Sequence, residues 1–210
     1  MRIILKSVTV MDPLGPHHME KSDILIDNGI IQKIGIDLSS KNANVIKLDK
    51  AFVSTGWFDP SVCLGEPGYE ERETLLNGGF IAAKSGYTAI GIQPYTNPKT
   101  QSKAAVNFIK SKENYVGFYP IGGLTFNGQG EDLCELFDMS CSGAIAFGDY
   151  KIPIKDPNVL KLALEYTQSF DGLVVSFPMD SQLGALGMVN ESTQTVSLGI
   201  KSIPQLAEHL

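Results

Sequence analysis

Two periodicities divide the chain. Up to about residue 54 the apolar positions fall in short, β-branched runs at residues 3–11, 22–26, 30–34 and 45–48. The second and third flank Asp27-Asn28-Gly29. Asn-Gly between apolar runs predicts a tight hairpin, because both turn positions need a positive φ. Residues 1–54 therefore read as a small β module, with His17 and His18 in an exposed turn region around Pro13 and Pro16. Beyond residue 52 the pattern becomes strand then helix, repeated. Strands are predicted at 52–64, 88–93, 115–121, 143–147 and 173–177, and helices at 70–85, 100–111, 131–139 and 157–169. A spacing of about 30 residues per unit is that of a βα repeat. Apolar strands alternating with helices imply a parallel sheet. Five such strands suit either a doubly wound sheet or part of a (β/α)8 barrel. Near the end, Ser202 is expected to cap a short helix carrying Pro204 in its first turn, where a missing N–H is tolerated.

In both architectures ligands meet the C-terminal ends of the strands. Those ends lie at residues 61–65, 93–97, Thr125, Gly148-Asp149 and Phe177-Pro178. Composition narrows the chemistry that can sit there. Of 210 residues, 43% are hydrophobic and 19% charged, a globular balance that argues against disorder. No run approaches the ~18 apolar residues of a membrane span, and the apolar start is too short for a signal peptide. A cytoplasmic location is the expectation. Lys and Arg number 17 against 23 Asp and Glu, a net charge of −6, and without a basic block nucleic acid is not an expected partner. Three cysteines, Cys63, Cys134 and Cys141, form no disulfide framework. Cys134 and Cys141 are expected to be buried. Gly122-Gly123 and Gly128-Gln129-Gly130 do not open a phosphate loop, since no Lys-Ser/Thr follows. Only three histidines exist, His17, His18 and His209.

Two stretches carry a family signature. The first is Gly56-Trp57-Phe58-Asp59-Pro60-Ser61-Val62-Cys63-Leu64-Gly65-Glu66-Pro67-Gly68, followed by Gly86-Tyr87-Thr88-Ala89 and Pro94-Tyr95-Thr96-Asn97-Pro98. It resembles the dihydroorotase branch of the amidohydrolases, with their G-x-x-D-x-H-x-H-x-R-E-P-G, G-[GY]-[FY]-T and P-N-T-N-P patterns. The second is Gly187-Met188-Val189-Asn190-Glu191 with Ser197-Leu198-Gly199-Ile200, Ile203-Pro204 and Ala207-Glu208, similar to that family's G-V-M-N-E and L-G-I-x-x-I-P-x-x-A-E segments. Between them, residues 143–149 resemble its F-[ST]-D-D-G strand. The resemblance implies an α/β fold: a (β/α)8 amidohydrolase-type barrel, about five βα units of it present, preceded by part of a small β-sandwich. Domain limits of 1–54 and 55–210 follow.

The resemblance also implies a zinc-held water attacking a cyclic amide, because zinc brings the pKa of bound water to about 7. Here the sequence departs. The H-x-H pair is Ser61 and Cys63, and the family's substrate-binding arginine aligns with Gly65. Its asparagine aligns with Tyr95, and its fifth-strand histidine with Phe177. The fourth-strand acid remains as Asp149, followed by Tyr150 and Lys151 instead of Asp-Gly. Asp149 and Cys63 are the only conceivable metal ligands left. Their plainer roles are a strand-end carboxylate capping nearby amides and a small strand residue. Tyr95 and Phe177 are expected to fill vacated space together.

The expectation is a catalytically silent dihydroorotase-like protein of pyrimidine biosynthesis, without catalytic residues or cofactor, in a structural or assembly role. The resemblance implies aspartate transcarbamoylase as partner and allows a homodimer. The competing expectation is an active zinc amidohydrolase drawing on residues beyond 210. A third is a small-molecule sensor built on the remodelled pocket. The last residues, His209-Leu210, carry no helix stop signal, and the resemblance favours a piece of a longer chain.

Overall fold

The computed structural model describes residues 1–47, 50–184 and 187–208. The chain divides into two units, Met1–Gly56 and Trp57–Leu210. In the first, β1 (Arg2–Met11) pairs antiparallel with β2 (Lys21–Asp27), and β2 pairs antiparallel with β3 (Ile30–Gly35). On its other side β1 runs parallel to β4 (Asn44–Lys47) and then to β5 (Phe52–Ser54). Asn28 and Gly29 both have positive φ, 50° and 79°, as the hairpin requires. Val8, Val10 and Ile24 form the core of this sheet. The register of β1 against β2 slips between Leu5 and Val8, and Ser7 sits there with φ 57°. Such a bulge leaves backbone groups without ladder partners, and Asp23 supplies them. Its carboxylate accepts from the Ser7 amide (2.9 Å), the Leu38 amide (3.0 Å) and the Lys6 ammonium (2.7 Å). His17 and His18 lie in the turn, and His17 Nδ1 is 2.9 Å from Glu20 Oε2.

The second unit carries a parallel sheet in the order β6 (Trp57–Val62), β7 (Tyr87–Ile92), β8 (Gly117–Gly122), β9 (Ala146–Phe147). Strand order follows chain order, whereas a doubly wound sheet reverses it at a switch point. The connections run through α1 (Leu75–Lys84), α2 (Lys103–Ser111) and α3 (Leu136–Cys141), and α4 (Pro157–Thr167) follows β9. Side chains cap the starts of α1, α2 and α4: Thr74 accepts from the Asn77 amide, Ser102 from Ala105 and Asp156 from Asn158. Leu64, Leu75, Ile90, Ile92 and Phe118 pack the sheet against the first helices. Phe147, Leu136, Met139 and Val106 form a second cluster further along. Each such fully buried side chain contributes about 1.5–3 kcal/mol. Gly78 lets α1 sit close to the sheet, since a Cβ there would press on the Leu64 side chain.

Several elements differ from their sequence expectation. The single strand predicted at 52–64 is two strands, β5 and β6, one in each unit. An unbroken apolar run carries no mark of the point where the pairing partner changes. Helix α1 starts at Leu75 rather than at 70, because Thr74 caps it and Glu66 Oε2 accepts the Leu75 amide (2.9 Å). Helices α2 and α3 likewise start late, at Lys103 and Leu136, and the strand predicted at 143–147 is only Ala146–Phe147. The fifth predicted strand is reduced to one parallel bridge between Val174 and Phe147. Ser202 caps no helix. With Ile203 it forms β11 (Ser202–Ile203), parallel to β10 (Val189–Asn190), because that pairing satisfies its backbone. Cys134 is buried as expected, but Cys141 is exposed at the end of α3. No described helix is long and apolar enough to cross a membrane.

Candidate functional site

The C-terminal ends of β6 to β9, with the loops after them, hold five of the six positions singled out in the sequence, all but Phe177. At the end of β6 the Ser61 hydroxyl accepts from Gln93 Nε2 (3.1 Å), while the Ser61 amide donates to Asp59 Oδ1 (3.0 Å). Gln93 is buried just past β7, and its own amide donates to the Val62 carbonyl (2.9 Å). A neutral amide thus ties the first two strand ends together. Cys63 is half-buried and free. Gly65 is buried inside a turn closed by the Tyr69 amide on the Gly65 carbonyl (2.8 Å). A Cβ at Gly65 would run into the Tyr69 carbonyl oxygen, so this loop has no room for an arginine there.

Asp149 is 8% exposed. Its Oδ1 accepts from the Leu124 amide (2.9 Å) and the Thr125 amide (3.1 Å), and its Oδ2 from the Thr125 hydroxyl (2.5 Å). The Thr125 hydroxyl in turn accepts from the Gly130 amide (3.0 Å). The carboxylate therefore bolts the β9 end to the loop after β8. Nearby Cys134 is no nucleophile. Burial, and after it the negative charges of Asp149 and Glu135, push its thiol up to about 12, against a smaller opposing effect of Lys99.

Glu66-Pro67-Gly68 and Thr96-Asn97-Pro98 prove to be partners. The Asn97 amide donates to the Pro67 carbonyl (2.9 Å), and Gly68, at φ 94°, abuts Asn97 so closely that any Cβ would strike its carbonyl oxygen. Glu66 pairs with Lys112 (3.0 Å) besides holding the start of α1. Both motifs are occupied in building the strand-end loops.

Tyr95 does not meet Phe177. Its aromatic partners are Tyr69 and Tyr150. Phe177 lines a separate cavity of about 400 Å³ with Ile154, Pro157 and Met179. A cavity of about 620 Å³ lies between Pro98, α2 and Leu133, and none of the six singled-out positions lines it.

Residues 51–210 match the family described as Dihydro-orotase-like. The chain belongs to this family. Among relatives named Dihydroorotase, that of Pelotomaculum thermopropionicum is 34% identical over 212 residues, covering 100% of this chain and 49% of the relative. That of Acetivibrio thermocellus is 36% identical over 191 residues, covering 90% and 45%. The chain thus spans about half the length of the curated relatives it matches. Solved structures share the fold: an L-hydantoinase (dihydropyrimidinase) from Arthrobacter aurescens with TM-score 0.69, 20% identity, and 86% and 41% of the two chains covered. A dihydroorotase follows with TM-score 0.56, 14% identity, and 84% and 52% covered. Together with the sequential strand order, these likenesses make the second unit a partial amidohydrolase-type (β/α)8 barrel.

The residues that the resemblance sets at metal positions do not by themselves make a zinc site. Both oxygens of Asp149 are engaged by the protein itself, Ser61 is held by a neutral amide, and Phe177 has no donor atom. Cys63 alone offers a ligand, and one thiol is not a site. Among the described residues no cluster of three or more His, Cys, Asp or Glu could hold a metal. His209 lies outside the described residues. Sequence reasoning missed Gln93 as a partner of Ser61, and Thr125 as a partner of Asp149. Neither carries a motif, since each contact joins residues more than 20 positions apart.

Proposed function

We propose that the chain serves pyrimidine biosynthesis as a catalytically silent dihydroorotase-like protein, in a structural role with aspartate transcarbamoylase as its partner. The carrying observation is the Asp149 carboxylate. It stands where the family's motif keeps an acid, yet three of its four lone-pair sites are taken by the Leu124 amide, the Thr125 amide and the Thr125 hydroxyl. A metal at Oδ1 would have to displace buried amide donors, each costing about 1–3 kcal/mol to leave unpaired, and one at Oδ2 would have to share that oxygen with the Thr125 hydroxyl. The exclusion of a side chain at Gly65 supports the same reading, because the family's carboxylate-binding arginine would stand there. The hydrogen-bonded pairing of the Glu66-Pro67-Gly68 and Thr96-Asn97-Pro98 loops supports a scaffold built without the chemistry.

The test is zinc content and dihydroorotate hydrolysis of the intact natural protein, purified without a histidine tag. The expected result is below about a tenth of a zinc per chain, since a filled catalytic site holds at least one, together with no hydrolysis and co-purification of transcarbamoylase activity. One or two zinc ions per chain with turnover would establish instead an active zinc amidohydrolase completed by residues outside these 210.

A further inference from the structure

Three tyrosines from three loops converge at the strand ends. Tyr69 comes from the segment before α1, Tyr95 from just past β7 and Tyr150 from just past β9. The Tyr69 and Tyr95 rings stack with centroids 6.2 Å apart and planes at 23°. Tyr150 tilts against Tyr95 at 5.6 Å. The Arg72 guanidinium lies 4.3 Å from the Tyr69 ring centre and 5.0 Å from that of Tyr95, and the Lys151 ammonium lies 5.3 Å from Tyr150.

Three features set this cluster apart from an ordinary plug. Arg72 is the only arginine in residues 57–210. Its acidic neighbours are engaged elsewhere: Glu70 accepts the Gly68 amide, Glu73 accepts Thr74 and Asn77, and Glu66 takes Lys112 and Leu75. Among the described residues no carboxylate pairs with Arg72. Second, Tyr150 sits at φ 59°, a conformation uncommon for a non-glycine residue and an outlier for a bulky one. A strained residue held at a strand end is a pointer to function, and here the strain delivers the ring to Tyr95. Third, Tyr95 remains 43% exposed, so solvent and solutes reach the cluster.

We propose that Tyr69, Arg72, Tyr95, Tyr150 and Lys151 form a ligand site for a flat ring bearing an anionic group, a carboxylate or a phosphate. Tyrosine faces stack any flat ring. A guanidinium resting on aromatic rings keeps in-plane N–H groups free for two parallel bonds to a carboxylate or phosphate. Arg72 and Lys151 already lie close to these rings, which disfavours a cationic ligand. The proposal rests on the silent-site reading in one respect: Tyr95 and Tyr150 stand at positions which the family's pattern gives to asparagine and aspartate.

The test is calorimetric titration of the intact protein, stripped of metal with EDTA, against orotate and uridine monophosphate. Uridine and inorganic phosphate, each carrying half of the chemistry, serve as controls. At least one ring anion is expected to bind, with Kd raised about tenfold or more by Arg72→Gln and by Tyr95→Leu, the loss of a charge-assisted contact or a stacking face. The two controls should bind at least about tenfold more weakly than the ring anion. Orotate alone would identify the carboxylate as the anion, and the nucleotide alone the phosphate. Arg72→Lys keeps the charge but loses the planar fork; it should also weaken binding, and it keeps the test readable if Arg72→Gln does not fold. No binding of either ring anion, equal binding by Arg72→Gln, or phosphate binding as tightly as the nucleotide overturns the proposal. If the protein is also free of zinc and inactive, the silent-site reading survives that failure. Binding seen only in a parallel titration with zinc added back, and unchanged by Arg72→Gln, would sink both.

Discussion

Each unit buries a carboxylate, and the two are held differently. Asp23, 5% exposed in the first unit, receives two amides and the Lys6 ammonium. Asp149 in the second receives two amides and a hydroxyl, with no cation within pairing distance among the described residues. Asp23 repairs a bulge in a sheet and nothing about its surroundings suggests chemistry. Asp149 stands where a family motif keeps an acid, yet its bonding is of the same structural kind. Three of the four lone-pair sites of Asp149 are taken by the protein. A shared residue type does not by itself fix a role; the partners bear on it.

Removing the carboxylates separates the two cases. Asp149→Ala should cost about 3–5 kcal/mol, because two buried amides and a hydroxyl lose their acceptor. Urea midpoints read this directly. A change under about 0.5 kcal/mol, the scale of a surface substitution, would mean that the carboxylate does not bolt the loop and stands free for another task. Asp23→Asn should cost less, about 2–3 kcal/mol, since the amide keeps one acceptor while the Lys6 ammonium loses its counter-charge.

The Asp23 pair also carries a pH signature. Burial alone would raise the Asp23 pKa, but the Lys6 ammonium and the Ser7 and Leu38 amides outweigh it and hold the group below its usual 3.8. A folded value below the unfolded one means the unfolded state binds the proton first. The stabilisation is then complete above pH 3.8 and lost as pH falls through the lower folded value. Acid titration of the first sheet's circular dichroism should show this loss, and Asp23→Asn should flatten it. A slope unchanged in the variant would assign the acid sensitivity elsewhere.

Gly65→Arg sharpens the comparison at the site. Restoring the family's residue should destabilise the chain by about 1–3 kcal/mol through forced movement of the loop, and should bring back no dihydroorotate hydrolysis. A neutral or stabilising effect with recovered turnover would show that the Gly65 turn is not closed to a side chain.

Much of the fold was legible because it is written in neighbouring residues. The Asn28-Gly29 hairpin and the strand–helix alternation after about residue 52 both act over a few positions. The candidate positions Ser61, Cys63, Gly65 and Tyr95, and the retained acid Asp149, were legible because motifs of fixed spacing surround them. The break between β5 and β6 was not, since only the change of pairing partner marks it. Nor was the strand pairing of Ser202, whose local sequence equally suits a helix start.

By itself, then, the sequence determined the family, the order of elements and the list of candidate positions. The tertiary structure alone decided what became of them: the Gln93 amide on Ser61, the amides of Leu124 and Thr125 on Asp149, and the meeting of Tyr69, Tyr95 and Tyr150 under Arg72. Those contacts join separate loops across the ends of a parallel sheet. Local preferences set each loop's conformation, but which side chains face one another depends on how the strands stack side by side.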